Sequence, residues 1–301
     1  MNPVIPQLKT FIVNMRAAFA RGENAMEYAR RELGEAINLP VATLIAYDLQ
    51  AGSYVDLARA NPANNDRWCQ QLSKLIAPHL VDSGSMLEVG CGEATTLAGV
   101  IKHLPVKPSA AYGFDISWSR CSVGSSWLKE KKGAATLFVS DLFAIPLEDN
   151  SIDVVYTSHS LEPNGGREEE ALRELLRIAK RVVVLIEPIF ELASPEAQQR
   201  MSHHGYVKNL KKTAENLGVE VSEYRLLDYI SNSLNPSGSL VLEKNRDPVP
   251  AVTRWRCPMT HSPLQPQNDV YFTEQTGLAY PVLRGIPLLR TEHAVVASKL
   301  S

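Results

Sequence analysis

Acidic residues close several apolar runs in the middle of this chain, and chemistry can be read from them first. Glu88-Val89-Gly90-Cys91-Gly92 ends the run SMLEVG with an acid and two glycines. Glycines in a strand-to-helix turn let ligand atoms approach backbone that a Cβ would shield. A dinucleotide turn of the form G-x-G-x-x-G keeps a third glycine beside its pyrophosphate. Here Thr95 stands in that place, and Glu88 and Glu93 would repel a pyrophosphate, so a ligand with ammonium or sulfonium charge suits the turn better. Asp115 closes AAYGFDI, where a carboxylate can accept both hydroxyls of a ribose, and Asp141 follows ATLFVS. The run IDVVYTS exits into Thr157-Ser158-His159-Ser160-Leu161-Glu162. His159 is by type and position the candidate general base. Glu162 is a candidate to orient a hydroxyl or amine, or else a cap for a helix starting near Arg167. Glu187, at the end of RVVVLIEP, sets a second carboxylate on the same rim, to bind substrate or brace a loop. His203, His204 and Tyr206 are substrate-facing candidates; adjacent histidines diverge on a helix, so they do not read as a metal pair.

The elements that must position these residues follow from hydrophobic patterning. Residues 5 to about 80 lack strand alternation and carry helix-forming runs such as NAMEYARRELGEAI and DRWCQQLSKLIAPHL. From Met86, short continuous apolar runs alternate with helical stretches. Strands buried on both faces with helices between them imply a parallel, doubly wound α/β sheet. VEVSEYRLL and GSLVLEKN would close that sheet as an antiparallel pair, and NRDPVPAV reads as the linker that ends the domain. The expected architecture is therefore a Rossmann-like seven-stranded sheet with a helical N-terminal lid (1–80), the α/β domain (81–246) and a small β-rich module (247–301) turning at Gly277 and Gly285.

Together, the turn at Glu88–Gly92, Asp115 and the stretch SDLFAIPLEDNSIDVVYTS resemble the class I S-adenosylmethionine-dependent methyltransferases over about residues 85 to 245. Their first motif is an acid followed by x-G-x-G. The resemblance implies S-adenosylmethionine as cofactor and S-adenosylhomocysteine as product. It implies cofactor contacts at Glu88, Gly90, Cys91 and Gly92, with Asp115 on the ribose and Asp141 facing the adenine amino group. Leu142 or Phe143 would lie on one side of the adenine ring and Ile116 on the other. Ser158 and His159 would pack beside the methionine moiety. Asp149 and Asp153 are expected in turn and strand-entry roles. IAYDLQAGSYVD resembles the helix that precedes the domain in related enzymes, making Tyr54, then Tyr47, the candidate over the methionine part. The Asn/Asp-Pro-Pro-Tyr/Phe motif that grips planar nitrogens is absent after the fourth strand.

The segment from Arg256 resembles the small zinc-ribbon-like activators of tRNA and release-factor methyltransferases. The likeness rests on Cys257-Pro258, Leu264, Leu278-Ala279-Tyr280-Pro281-Val282 and Gly285-Ile286-Pro287-Leu288-Leu289. Thr260 and Thr273 occupy places where that family keeps cysteines, leaving only Cys257 and His261, so no structural zinc is expected. An apolar core of Leu264, Leu278, Tyr280, Val282 and Ile286 would hold the module, which is expected to cover an apolar face of the α/β domain.

Composition narrows the partners. The 301 residues hold 31 basic and 33 acidic side chains without a basic block, which disfavours nucleic acid. No run approaches the roughly 20 apolar residues of a membrane span. Four cysteines without paired spacing point to a reducing cytoplasm. The reading is a methyltransferase acting at O or N of a small metabolite such as a sugar or biosynthetic intermediate, with a homodimer left open. The alternatives are methylation of a translation component (tRNA or protein), a noncatalytic S-adenosylmethionine-binding protein, and a nicotinamide-binding fold.

Overall fold

In the computed structural model, residues 8–33, 40–244 and 249–300 are described. The first residues of the chain, the end of the NAMEYARRELGEAI run and positions 245–248 of the linker, where the 246/247 boundary falls, lie outside them. The N-terminal segment is helical, as its pattern predicts: α1 (Leu8–Ala20), α2 (Ala25–Leu33), α3 (Pro40–Leu49), α4 (Ser53–Ala60) and α5 (Pro62–Ile76). Asn24 caps α2 by accepting from the Met26 and Glu27 amides. Phe11 and Met15 of α1 pack on Tyr28 and Ala29 of α2 and on Ala42 and Ala46 of α3, a small core separate from that of the sheet.

The sheet then builds in the expected order: β1 (Ser85–Val89), α6 (Thr95–His103), β2 (Ala110–Asp115), α7 (Trp118–Glu130), β3 (Thr136–Val139), β4 (Ile152–Ser158), α8 (Glu168–Ile178), β5 (Ala179–Pro188), α9 (Pro195–His203), α10 (Leu210–Asn216), β6 (Glu220–Leu226) and β7 (Ser237–Glu243). Its seven strands lie in the order β3-β2-β1-β4-β5-β7-β6. All pairs from β3 across to β5 are parallel, while β7 enters antiparallel between β5 and β6. Side chains alternate between two buried faces because the strand period is two. Met86, Val154 and Val182 join α5, α6 and α7 on one side. Leu87, Val155 and Val183 join α8 and α10 on the other. Each such buried aliphatic side chain contributes about 1.5–3 kcal/mol, so a continuous apolar run is what a strand in this position requires.

The connection from β3 to β4, residues 140–151, contains no helix. The C-terminal sheet covers the face that a helix there would protect. It consists of β8 (Gln265–Gln267), β9 (Val270–Thr273), β10 (Leu278–Leu283), β11 (Ile286–Pro287) and β12 (Val295–Val296). Arg284 and Gly285, with φ of 51° and 79°, form the two-residue turn between β10 and β11. Trp255 stands edge-on to Tyr112, Phe138 and Tyr271. The Leu289 amide donates to the Val139 carbonyl of β3, and the Arg256 amide to the Pro146 carbonyl. Leu264, Tyr280 and Ile286 are buried as expected, whereas Leu278 and Val282 are only half-buried. Phe272, Ala279 and Leu289 fill the places those two were expected to take. Cys257 is buried, its sulfur accepting from the Thr260 amide at 3.4 Å and lying 3.2 Å from the Tyr280 hydroxyl. Burial works to raise this thiol's pKa, but the two hydrogen bonds outweigh it and hold it below the ordinary value. Among the described residues no cluster of three or more His, Cys, Asp and Glu could hold a metal ion, and no helix is long and apolar enough to cross a membrane.

Candidate active site

Leaving β1, the chain turns through Gly90 and Gly92 at φ of 65° and 52°. A Cβ on Gly90 would collide with the Ser160 side chain, so the close approach of turn and strand-four exit requires glycine. Glu88 is buried at the end of β1 and accepts from the Tyr156 hydroxyl at 3.1 Å. Burial pushes its pKa up to about 8 even though that hydroxyl pulls the other way. Asp115, the expected ribose contact, is buried at the end of β2. Its Oδ2 accepts from the Gly92 amide at 3.1 Å and its Oδ1 from the Ser117 amide at 2.9 Å, and the carboxylate does not line the cavity described below. As placed, it braces the turn. Burial raises its pKa against these amide bonds.

Glu93 departs from a simple charge on the turn. Fully buried, it accepts from the Gly52 and Val55 amides at 2.9 and 2.8 Å and so anchors the start of α4. The free amides and dipole of a helix N-terminus favour a carboxylate there. Asp48 of α3 makes the matching latch on α7, accepting from the Ser117 hydroxyl at 2.7 Å and the Ser119 amide at 3.2 Å. The Arg120 guanidinium donates to the Tyr47 carbonyl at 2.9 Å and lies over the rings of Tyr47 and Tyr54. These latches bring Tyr54 against Gly92; burial raises the pKa of the Tyr47 hydroxyl, with the Arg120 charge opposing.

At the exit of β4, His159 adopts a left-handed φ of 57° and its amide donates to the Ile186 carbonyl. Both of its ring nitrogens are engaged. Nδ1 lies 2.9 Å from Glu162 Oε2 and Nε2 lies 2.7 Å from Ser237 Oγ. Asn235 donates to the same Glu162 oxygen at 3.2 Å. Burial disfavours the charged imidazole, but the Glu162 hydrogen bond and charge outweigh it and raise the His159 pKa. The expectation of His159 as general base is corrected on this geometry, because neither nitrogen has a lone pair free for a substrate proton. The Ser237-His159-Glu162 line has the connectivity of a nucleophile–base–acid triad, yet Ser237 is 1% exposed and unreachable by substrate. It positions the imidazole instead. Nor does Glu162 cap α8; its carboxylate stays in this network.

Glu187 is likewise a brace. Its two oxygens accept the backbone amides of Ser160, Leu161 and Glu162 at 3.0–3.1 Å, and it is 1% exposed. Burial raises its pKa to about 7, with the neighbouring His159 charge opposing. Of the three further candidates only His204 lines the cavity. His203 is exposed, and Tyr206 stacks on His204 from outside the lining, ring centroids 5.5 Å apart.

One cavity of about 810 Å³ joins these parts. At one end it is lined by Tyr54, Glu88, Gly90, Cys91, Gly92 and Ile116, with Asp141, Leu142, Phe143 and Ser158 beside them. Asp141 Oδ1 accepts from the Phe143 amide at 2.9 Å, which fixes the loop after β3. At the other end stand His159 and Glu162 together with Asn61, Asn64, Asn65, Trp68, Tyr229 and Ser231, which sequence reasoning missed. Their one sequence signal is the asparagine-rich Asn61-Pro62-Ala63-Asn64-Asn65 between two helices. Tyr229 and Ser231 lie on the β6–β7 connection, which Gln71 of α5 ties down by bonding both the amide and the carbonyl of Tyr229. The buried Ser160 hydroxyl, between turn and exit, has no partner among the described residues.

Glycines that admit a ligand, a buried acid, an acid beside an apolar loop and an unpartnered hydroxyl together fit a nucleoside ligand that carries cationic charge. Residues 86–182 match the family described as Methyltransferase domain. That span runs from β1 into β5 and contains the turn, Asp141, His159 and Glu162. No curated protein matches the chain. Among solved structures, magnesium protoporphyrin IX methyltransferase from Synechocystis PCC 6803, with bound SAH, is similar at 16% identity and a TM-score of 0.51, over 67% of this chain and 100% of that one. A SAM dependent methyltransferase from Aquifex aeolicus is similar at 17% identity and a TM-score of 0.43, over 55% and 84%. The likeness to the Synechocystis enzyme is one of fold.

Proposed function

We propose that the protein transfers the methyl group of S-adenosylmethionine to an oxygen or nitrogen of a small-molecule acceptor. The observation that carries this reading is a cavity lined both by the Gly90–Gly92 turn and by Glu162. Asp141, Leu142, Phe143 and Ile116 would hold the nucleoside part, and Glu88, Gly90, Cys91 and Tyr54 the amino-acid part with its cationic charges. When bound, the cofactor supplies a methyl group on a sulfonium, which is already a strong electrophile. The chain's own task is to align a nucleophile and take its proton.

In this reading Glu162 accepts that proton, being the carboxylate that lines the cavity at the strand-four exit. His159 and Asn235 hold Glu162 in place, while Ser237 fixes the imidazole. Glu187 keeps the exit loop rigid from beneath, and the lid helices, latched by Glu93 and Asp48, exclude water. The C-terminal sheet supports the domain at β3, in keeping with a fused activator-like module.

The test is calorimetry with S-adenosylmethionine followed by S-adenosylhomocysteine release against metabolite fractions. Saturable cofactor binding with acceptor-dependent release is expected. Binding of NAD without S-adenosylmethionine would overturn the proposal, as would cofactor binding with no release against any fraction.

A further inference from the structure

We infer that the acceptor is a neutral, multiply hydroxylated ring of monosaccharide size, seated between Asn61, Asn64, Asn65, Trp68 and Tyr229. The inference rests on the methyl-transfer reading above and narrows it to a substrate class. Among the described residues none of the three carboxamides has a side-chain hydrogen-bond partner; Asn65 is half-buried, Asn61 and Asn64 are exposed, and all three line the cavity. A carboxamide presents two donors and an acceptor with two lone pairs, and a hydroxyl is itself donor and acceptor. Three such side chains on one wall therefore match a ligand with hydroxyls pointing in several directions. Beside them, the Trp68 indole stands tilted against the His159 imidazole, ring centroids 5.7 Å apart, next to the reacting end. An aromatic surface at that place suits the C–H face of a sugar ring.

The charges lining this cavity point the same way. Among the described residues the lining contains no lysine. Its arginines are committed. Arg167 forms a two-pronged pair with Glu170 at 2.8 and 2.7 Å, and Arg120 is held by the Tyr47 carbonyl and Gln50. Burial, then the neighbouring Arg200, lowers the His204 pKa and favours its neutral form. Glu162 is already paired with His159. Within the lining a phosphate or carboxylate would meet no uncommitted cation; Arg67, stacked on the Tyr229 ring at 4.2 Å, lies outside the lining, and burying an unpaired charge is strongly unfavourable.

The experiment uses the full chain saturated with S-adenosylhomocysteine. Calorimetry is run against free hexoses, pentoses and methyl glycosides, against their phosphate esters, and against amino acids and polyamines, and the same panel is assayed for methyl transfer. At least one neutral sugar or glycoside is expected to bind and to drive S-adenosylhomocysteine release, with its phosphate ester inactive. Asn65→Ala and Trp68→Ala should each weaken that ligand about tenfold, the loss of one hydrogen bond or stacking surface, while cofactor affinity stays unchanged. Binding confined to phosphates, carboxylates or amines overturns the inference, as does the absence of any neutral ligand or of an effect from either substitution. Failure of the cofactor itself to bind would instead count against the methyl-transfer reading.

Discussion

Replacing Glu88 by glutamine should make the cofactor-free protein more stable while weakening its hold on the cofactor. Glu88 is fully buried, and burial raises its pKa from the ordinary 4.5 to about 8. In acid, folded and unfolded chains both keep the proton and no penalty exists. As pH rises past 4.5 the unfolded chain releases the proton while the folded chain retains it, so stability falls by about 1.4 kcal/mol per pH unit until about pH 8. The accumulated loss at pH 8 is on the order of 4 kcal/mol. Glutamine keeps an acceptor for the Tyr156 hydroxyl but cannot ionise. Glu88→Gln should therefore gain up to roughly 4 kcal/mol at pH 8, or roughly 10 °C in Tm, and under about 1 kcal/mol at pH 5. Asp115 and Glu187 titrate in both proteins and cancel from the comparison.

Cofactor binding reverses the sign, because a cationic ligand beside Glu88 favours its ionised form. Affinity for S-adenosylmethionine should rise by up to about tenfold per pH unit between pH 6 and 8, with release of one proton. In Glu88→Gln the profile should flatten and binding at pH 8 should weaken. Calorimetry in two buffers of different ionisation enthalpy counts the protons, and thermal melts from pH 5 to 8 give the stabilities. A Glu88→Gln protein no more stable than the parent at pH 8, or a parent that binds cofactor without releasing a proton, would refute the reasoning.

Glu93→Ala removes the acceptor shared by the Gly52 and Val55 amides. It should cost about 2–3 kcal/mol and appear as faster amide exchange across residues 52–60, with the sheet unaffected. Gly90→Ala forces a side chain into left-handed backbone, costing about 1–2 kcal/mol, and drives its methyl group into Ser160, so calorimetry should show a clear loss of cofactor affinity. Trp255→Ala, which empties the space between Tyr112, Phe138 and Tyr271, should lower the denaturant midpoint by the equivalent of about 3–5 kcal/mol. Ending the chain at residue 247 uncovers the same face and should give insoluble or inactive protein; a soluble truncation as active as the parent would show that the C-terminal sheet is dispensable.

The strands were legible because their burial is symmetrical. A run such as RVVVLIEP satisfies two covered faces at once, and few other placements in a water-soluble fold accept it. The turn at Gly90 and Gly92 was legible for a similar reason, since its backbone angles and its clash with Ser160 leave little choice of residue. Local sequence thus fixes which residues stand at strand ends, and with them Glu88, Asp141, His159 and Glu162 at the rim.

What local sequence leaves open is the direction in which a rim side chain is used. Asp115, Glu93 and Glu187 have the types and positions of ligand contacts, and each accepts backbone amides that only the folded chain brings within reach. Ser237 approaches His159 from β7, two strands across from β4, and Asn61–Asn65, Trp68 and Tyr229 converge from the lid and the β6–β7 connection. Such groups are separated by scores of residues and share no periodicity, so no pattern announces them. The sequence by itself determined the sheet, the cofactor turn and the set of available acids. Tertiary structure decided which acids remain free, because a carboxylate buried beside an unpaired amide will satisfy that amide before it can serve a ligand.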